Sequence, residues 1–415
     1  MDVITLTLLA ISLILFFGFF AEFIFRKLSI PDVLFLIVLG FTLGPAGLNY
    51  VMPEDLIQIA PVFTTFTLLF LLFDGAFNIH LSSLIREFSK SLYLTLFNFF
   101  ISTIVVTAVM KVSGFSFLIS LLTGFMLGGV SSSFVIPILK QINVGEKIYS
   151  LLTLESALTD VFCIVFSLTV IEIFKLGGFG FRETLTQIAS LFAVAGLIGL
   201  IGGIVWIILI LRVFKEHNYV MAIAYLILIY VVTEFLNGNG AIAALFFGLI
   251  LKNSKQLSSI IKGILTNKAK EKKKALKGEL GVSVTTPSEE YFYHQISFLL
   301  KTFFFVYIGV LIDLSDWKAL VIGGVISLLL MGSRMASLLL TKAMNPINKD
   351  LINSIFARGL AAAAIAQLAV QAGIPYADFI GKVTYVVITG TIILSSIKIF
   401  IVEHKMMMAL LEVKK

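Results

Sequence analysis

The sequence predicts an all-α polytopic membrane protein with about thirteen transmembrane helices, the amino terminus outside and the carboxyl terminus inside. Three observations support this class: a strongly apolar composition, repeated apolar runs of membrane-spanning length, and basic residues gathered in alternate loops. Of the 415 residues, 59% are hydrophobic and only 13% are charged, with a mean hydropathy of +1.05. Soluble domains carry about 25% charged and about 45–50% apolar residues. The composition therefore excludes a soluble enzyme, a disordered chain and a disulfide scaffold.

Apolar windows along the chain define the predicted spans. A transmembrane helix needs about 20 mostly apolar residues. The first window is interpreted as a retained span and not a cleaved signal, because no basic segment precedes it. The window 239–252 is short and the window 29–47 has a proline near its start, so counts of twelve and fourteen stay open. The predicted spans are 3–25, 29–47, 55–78, 91–112, 115–140, 147–174, 186–212, 219–236, 239–252, 293–312, 317–342, 350–373 and 379–403.

The loops differ in basic charge, which sets the predicted orientation. Cytoplasmic loops of membrane proteins carry an excess of Lys and Arg. With the amino terminus outside, 22 basic residues fall in inside loops and the tail, and five fall outside. The net charge of +7 is therefore attributed to contact with the surface of the lipid bilayer. Nucleic acid is not expected as a partner. Cys163 is the only cysteine, so an internal disulfide is impossible.

The division of the chain follows its one sizeable polar stretch. Residues 1–252 form a first membrane part, 253–292 a basic cytoplasmic linker, 293–403 a second membrane part and 404–415 a short cytoplasmic tail. The linker run KAKEKKKALK either lies on anionic lipid or is a solvated connection between the two parts.

One predicted span, 147–174, carries two carboxylates in the run LESALTD. At about 100° per residue, Glu155, Thr159, Ser156 and Asp160 share one arc of about 140°. Ionisable groups inside a membrane are costly, so this face must turn toward protein or water and is a functional candidate. A purely structural alternative is that Glu155 and Asp160 bind cations from later spans and hold the bundle together.

The span before it, 115–140, contains a run of small residues followed by proline, GGVSSSFVIP. Such a run weakens a helix and frees backbone carbonyls, and irregular backbone inside a membrane must face protein or a wet cavity. Discontinuous helices of this kind form ion sites in transporters, often as a pair in inverted repeats. The second candidate of the pair is ARGLAAAA in span 350–373, where Arg358 supplies a cation. Small residues equally mark ordinary helix packing.

Asp74 and two further basic residues complete the set of charged candidates. Asp74, at the end of span 55–78, is either an interfacial carboxylate or a peripheral cation ligand. Lys301 and Arg334 lie inside spans and are candidate charge partners.

The runs LESALTD and GGVSSSFVIPIL, with FLLFDGAFNIHLSSL, KTFFFVYIGVLIDLSD, GSRMASLLL and ARGLAAAAIAQLAV, resemble the monovalent cation/proton antiporter superfamily. They occur in the family's order between about residues 3 and 403. The resemblance implies inverted repeats with two discontinuous crossing helices, and a homodimer in the cell membrane.

The resemblance also implies residue roles. Asp160 matches the aspartate that binds cation or proton in alternation, with Thr159 where the family has Asn or Asp. Ser156 and Asp74 match positions that help to coordinate the ion. Glu155 and Arg334 resemble a structural ion pair, and Lys301 matches a basic position that can pair with the aspartate.

Some residues depart from the family's pattern. Val130, Ser131 and Ser132 stand where the exchanger branch often has Thr-Asp-Pro, and this serine run is more similar to the potassium-efflux branch. Thr159 lacks the second carboxylate of electrogenic members, whereas Lys301 is their basic residue, so the two indicators of stoichiometry disagree. Arg358 is followed by Gly-Leu, where many relatives have Gly-Glu.

These features predict an antiporter that exchanges protons for Na⁺, or for K⁺, without a cofactor. Desolvation favours the protonated form of a carboxylate and a bound cation favours the charged form, so cation binding requires proton loss. Hydroxyls of Ser156 and Thr159 and carbonyls near 130–132 would replace the water around the ion. A uniporter or symporter of another solute is the alternative on the same fold. A membrane enzyme or a channel fits less well, because the chain holds no HExxH or GxSxG and its four histidines lie in loops or at the ends of predicted spans.

Overall fold

The computed structural model describes residues 12–21, 23–24, 31–56, 59–77, 81–142, 144–176, 181–214, 219–255, 257, 286–342 and 344–413. Most of the predicted basic linker and the start of the first predicted span lie outside these residues. Within them, all regular secondary structure is helical, as the sequence predicts.

Each predicted span contains at least one helix in the described residues. Two spans, 115–140 and 350–373, each contain two helices separated by a short non-helical segment. The helices are α1 Ser12–Ala21, α2 Asp32–Leu43, α3 Pro53–Leu56, α4 Ala60–Phe77, α5 Leu81–Val112, α6 Phe117–Met126, α7 Ser132–Ile142, α8 Glu146–Lys175, α9 Phe181–Ile208, α10 Tyr219–Phe235, α11 Gly240–Lys252, α12 Pro287–Val310, α13 Trp317–Ser333, α14 Pro346–Ser354, α15 Leu360–Gln371 and α16 Ala377–Val413.

Five stretches among the described residues are long and apolar enough to cross a membrane as single helices. They are Leu92–Val112, Ile148–Lys175, Thr186–Ile208, Trp317–Leu339 and Ala377–Lys405. The number of spans and the orientation of the termini stay predictions. The predicted tail 404–415 continues α16 as far as Val413.

The chain folds as two compact units that interleave in sequence. The first comprises Met1–Thr64, Ser89–Lys175 and Leu299–Lys415, and the second Thr65–Phe88 and Leu176–Phe298. The division into two membrane parts at the linker 253–292 is made along the chain and not by compactness. It stays a prediction.

In the first unit, α6, α7 and α15 pack against α8, while α13, α14 and α15 pack against α16. Phe99 of α5 stacks on Phe125 of α6, with ring centroids 6.3 Å apart, and meets Phe162 of α8 edge-on. Gly128 follows α6 close to α5, since a Cβ there would lie 2.6 Å from Thr103 Oγ1. This packing fixes the helices that carry the charged residues.

In the second unit, α11 packs against α9 and α10. The close approach of α9 and α11 requires Gly199, where a Cβ would lie 2.4 Å from the carbonyl oxygen of Ala243. Phe247 stacks on Phe73 at 5.8 Å and also contacts Tyr225. These contacts give the second unit an aromatic core.

Candidate functional site

The first break lies between α6 and α7, at residues 127–131 of the first unit. Helix ends leave backbone groups without intrahelical partners, and α8 supplies partners here. The amide of Val130 donates to Thr159 Oγ1 at 3.0 Å, and the amide of Gly129 donates to Cys163 Sγ at 3.1 Å. Because Thr159 and Cys163 are four residues apart, both side chains lie on one face of α8.

Asp160 lies where α7 begins. Its Oδ2 accepts hydrogen bonds from the amide of Ser132 at 3.2 Å and from Ser132 Oγ at 2.5 Å. A helix amino terminus carries partial positive charge and favours an anion. Asp160 is half-buried, whereas Thr159 and Ser156 are buried. The site therefore holds one carboxylate, on a residue that is less buried than Thr159 and Ser156 beside it.

The hydroxyls next to Asp160 are engaged with the backbone. Thr159 Oγ1 lies 3.2 Å from the carbonyl oxygen of Ser156 and 3.4 Å from that of Val130. Ser156 Oγ donates to the carbonyl of Thr153 at 3.0 Å. Each hydroxyl donates its proton to a carbonyl here, so its oxygen keeps a lone pair that could face a cation.

The second break, between α14 and α15 at residues 355–359, is held by α16. Ser395 Oγ accepts from the amide of Phe356 at 3.4 Å and donates to the carbonyl of Ser354 at 2.5 Å. The amide of Arg358 donates to Thr391 Oγ1 at 3.0 Å. Lys398 Nζ donates to the carbonyl of Asn353 at 2.9 Å. Side chains of α16 therefore satisfy backbone groups at the end of α14 and within this break.

The two breaks touch each other through Arg358 and the neighbouring backbone. The guanidinium of Arg358 donates to the carbonyl of Gly128 at 3.2 Å and to that of Gly129, which extend the carboxyl end of α6. The amide of Ser131 donates to the carbonyl of Ala357 at 2.9 Å. A Cβ at Gly359 would lie 2.0 Å from Ser131 Oγ, so glycine is required at this crossing.

A buried ion pair joins α8 to the segment after α13. Arg334 Nη1 and Nη2 lie 2.5 Å and 2.8 Å from the two carboxylate oxygens of Glu155. Arg334 Nε also donates to the carbonyl of Ile352 at 2.9 Å, near the end of α14. Asn98 Nδ2 of α5 donates to Glu155 Oε1 at 2.9 Å. The fork of arginine matches a carboxylate with two parallel hydrogen bonds, and this carboxylate is fully paired.

The structure gives the remaining candidates other partners. Lys301 Nζ forms an ion pair with Asp32 Oδ2 at 2.6 Å. The family resemblance implies Asp160 as its partner instead. Asp74 belongs to the second unit, and its Oδ1 lies 3.0 Å from His294 Nδ1. Neither contact was predicted from the sequence.

Most predicted site residues of the first unit meet around the two breaks. Sequence reasoning missed the polar side chains that support them, in particular Asn98 and Ser102 of α5, and Thr391 and Ser395 of α16. Ser102 Oγ accepts from Arg358 Nη2 at 2.9 Å. Both pairs are spaced four residues apart, so each lies on one helix face. That spacing is a signal in the sequence. The residues brought together are Val130, Ser131, Ser132, Glu155, Ser156, Thr159, Asp160, Arg334 and Arg358.

Comparison with known families gives a match over almost the whole chain. The family described as "Sodium/hydrogen exchanger, transmembrane" matches residues 11–403.

Three curated relatives are antiporters by name. The K⁺/H⁺ antiporter NhaP of Alkalimonas amylolytica is 22% identical over 61% of this chain and 45% of its own length. The Na⁺/H⁺ antiporter ApNhaP of Aphanothece halophytica is 30% identical over 54% of this chain and 43% of its own. The probable Na⁺/H⁺ antiporter 3 of Methanocaldococcus jannaschii is 25% identical over 37% of this chain and 39% of its own. The chain thus spans less than half the length of these relatives.

Solved structures of similar fold include the sodium proton antiporter MjNhaP1 from Methanocaldococcus jannaschii. The structure at pH 8 aligns with a TM-score of 0.74 at 20% identity, over 95% of this chain and 100% of that one. A structure of the same protein by electron microscopy aligns with a TM-score of 0.73 at 20% identity, over 98% of both chains. At this identity the likeness concerns the fold.

Proposed function

The chain belongs to the sodium/hydrogen exchanger family, and we propose that it is a secondary active antiporter that exchanges protons for a monovalent cation by alternating access. Na⁺ is the first choice of cation and K⁺ the second, since the curated relatives include antiporters for each. The observation that carries the proposal is the half-buried carboxylate of Asp160 at the start of α7, between two broken helices that touch.

Competition at one carboxylate provides the coupling. A carboxylate with little water around it holds a proton more readily, and a nearby cation favours its charged form. At Asp160 a proton and a metal ion would therefore exclude each other. Each time the site moves across the membrane, it then carries either a proton or a metal ion. An antiporter requires this alternation.

The oxygens around Asp160 provide the candidate ligands. Monovalent cations are bound by carboxylate, hydroxyl and carbonyl oxygens of unwound backbone in transporters. Ser132 Oγ already touches the carboxylate at 2.5 Å, and Thr159 and Ser156 lie on the same face of α8. Backbone carbonyls of 130–132 would complete the shell. Asp74, which the family resemblance implies as an ion ligand, stays a prediction.

The other charged residues of the cluster would keep their partners during exchange. Arg358 is bound to the carbonyls that follow α6, where the helix dipole is negative. Glu155 is paired with Arg334. With these charges bound in place, Asp160 is the carboxylate of this cluster that is left to exchange its partner.

The test is cation-driven proton flux in proteoliposomes, with Na⁺, K⁺ and Li⁺ added in turn at several pH values. Wild-type protein is expected to release protons from the lumen in response to at least one of these ions. Asp160→Asn is expected to abolish that response while the protein still inserts. The matched control is Glu172→Gln, which removes another carboxylate from α8, one that pairs with Lys175 on a partly exposed face.

The outcomes separate the candidate functions. Exchange retained in Asp160→Asn would refute the role of this carboxylate. Cation uptake without opposite proton movement would favour the uniporter or symporter alternative. A homodimer in the cell membrane, implied by the family resemblance, is part of the proposal and is tested by the mass of the detergent-solubilised protein.

A further inference from the structure

A further charged pair joins α2 to α12. Lys301 Nζ is 2.6 Å from Asp32 Oδ2, and the two side chains are 12% and 6% exposed. The residues are 269 positions apart in sequence, so the pair is a tertiary contact. Buried ions of this kind must be paired to be tolerated. The question is whether Asp32 or Asp160 neutralises the charge of Lys301.

The backbones of α2 and α12 approach each other so closely that their register is fixed. A Cβ at Gly40 would lie 1.9 Å from the carbonyl oxygen of Val306, and a Cβ at Gly309 would lie 2.2 Å from that of Ile37. Gly40 lies eight residues after Asp32, and Gly309 lies eight residues after Lys301. Because the spacing is equal, the two helices run in the same direction. The close contact of Gly40 with Gly309 therefore places Asp32 next to Lys301.

The faces of α12 separate this contact from the second broken helix. At about 100° per residue, Lys301 and Gly309 lie about 80° apart, whereas Tyr307 lies about 120° away from Lys301 on the other side. Tyr307 Oη contacts Gln367 Oε1 of α15 at 3.1 Å. The helix therefore turns one side toward α2 and another toward α15, and Lys301 belongs to the α2 side.

We propose that Asp32 is the resident counter-charge of Lys301, a positioning residue that holds α12 against α2, and that proton–cation competition at Asp160 proceeds without Lys301. This inference rests on the proposed antiport function for its second half. It differs from what the family resemblance implies, namely that Lys301 pairs with the exchanging aspartate.

The local electrostatics support a stable pair. Asp32 lies in the first turn of α2, where the helix dipole favours a carboxylate, and the lysine supplies the full opposite charge. Either single substitution removes the ion pair, and Lys301→Met leaves the buried carboxylate of Asp32 without the lysine that neutralises it, whereas the double variant leaves no charge at either position. A double-mutant cycle therefore distinguishes a dedicated pair from two unrelated residues.

The first measurement is the thermal unfolding temperature of detergent-purified protein for Asp32→Asn, Lys301→Met and the double variant. We expect each single substitution to lower the temperature and the double variant to recover most of the loss. Asp32→Glu with Lys301→Arg keeps both charges and serves as the matched control. A double variant no more stable than the weaker single variant would overturn the pairing. This readout does not depend on transport, so it stands even if the antiport proposal fails.

The second measurement is the pH profile of exchange in the same variants. The double variant is expected to exchange at a rate within about threefold of wild type, with the pH of half-maximal activity unchanged. Each single variant is expected to lose about tenfold or more, because breaking a buried ion pair disturbs the fold. If Lys301 instead served Asp160, its loss would move the half-maximal pH upward by about one unit or more. That shift in both Lys301→Met and the double variant would overturn the proposal.

Discussion

The two broken helices of the first unit differ in what satisfies their freed backbone. At the first break, between α6 and α7, a carboxylate, a hydroxyl and a thiol from α8 bind the amides, and the carboxylate is half-buried. At the second break, between α14 and α15, two hydroxyls and a lysine of α16 bind amides and carbonyls alike, and the surrounding residues are buried.

The difference suggests separate roles for the two breaks in the proposed function. In the proposed function Asp160 exchanges its hydrogen-bond partner for an ion, and its Oδ2 faces the start of α7. The second break contributes its cation, Arg358, to the carbonyls after α6. We infer that the first break is the ion site and the second is its scaffold, and the following variants test that contrast.

The largest expected effect comes from separating the second break from α8. Arg334→Met leaves Glu155 buried with Asn98 as its remaining described partner, and frees the carbonyl of Ile352. We expect a loss of about 3–5 kcal/mol in unfolding free energy. Thermal unfolding in detergent measures it. Lys405→Met, which breaks a pair whose side chains are 62% and 45% exposed, is the control and should cost under about 1 kcal/mol.

A methyl group at the crossing point should separate the two breaks directly. In Gly359→Ala the new Cβ would meet Ser131 Oγ at 2.0 Å and Ser131 Cβ at 2.4 Å, so the backbone must move. We expect a loss of about 1–3 kcal/mol together with a strong loss of exchange. Gly324→Ala in α13 is the control, because a Cβ there meets nothing within 4 Å and alanine favours a helix. Equal behaviour of the two variants would contradict the close crossing.

One serine at each break gives the sharpest contrast. Ser395→Ala removes two hydrogen bonds at the second break and should cost about 1–2 kcal/mol with an unchanged cation KM. Ser132→Ala removes a hydroxyl that touches Asp160 and should raise the cation KM with a smaller effect on stability. Unfolding temperature and exchange kinetics of both variants check this. A raised cation KM in Ser395→Ala, with a loss of stability alone in Ser132→Ala, would reverse the roles of the two breaks.

The smallest effect is expected at an ion pair that belongs to neither break. Lys382 Nζ lies 2.8 Å from Asp313 Oδ2, and this hydrogen bond, with one from the amide of Ser315, lowers the pKa of Asp313 below its usual value. A lowered folded-state pKa contributes stability above the unfolded value of about 3.9 and loses it as the pH falls further. Asp313→Asn should therefore cost under about 1 kcal/mol at neutral pH, with no difference from wild type at the acid end. Thermal unfolding across pH measures it.

The fold was accessible from the sequence because hydrophobic length is a strong signal in a membrane protein. Each of the thirteen windows contains a helix, and the runs GGVSSSFVIP and ARGLAAAA mark the two breaks. Breaks could be located because glycine acts locally on the backbone, whereas Pro137 lies inside α7 and marks no break.

Partners across the bundle were accessible only in part. The face with Glu155, Thr159 and Asp160 follows from helical spacing alone. The partner of Lys301 does not, since nothing local connects residue 301 to Asp32 near the start of the chain. Uncharged helpers such as Asn98 and Ser395 were also missed, because a single amide or hydroxyl in an apolar run is a weak signal until its buried partner is known.

Binding of a proton or a cation in turn by one carboxylate can be measured as proton release on cation binding in detergent, without transport. Purified protein in a weakly buffered solution with a pH indicator is mixed with NaCl or KCl, with choline chloride as the control salt. Wild-type protein is expected to release about one proton per chain, because the ion displaces the proton from Asp160, and Asp160→Asn is expected to release none. Undiminished proton release from Asp160→Asn would contradict the account.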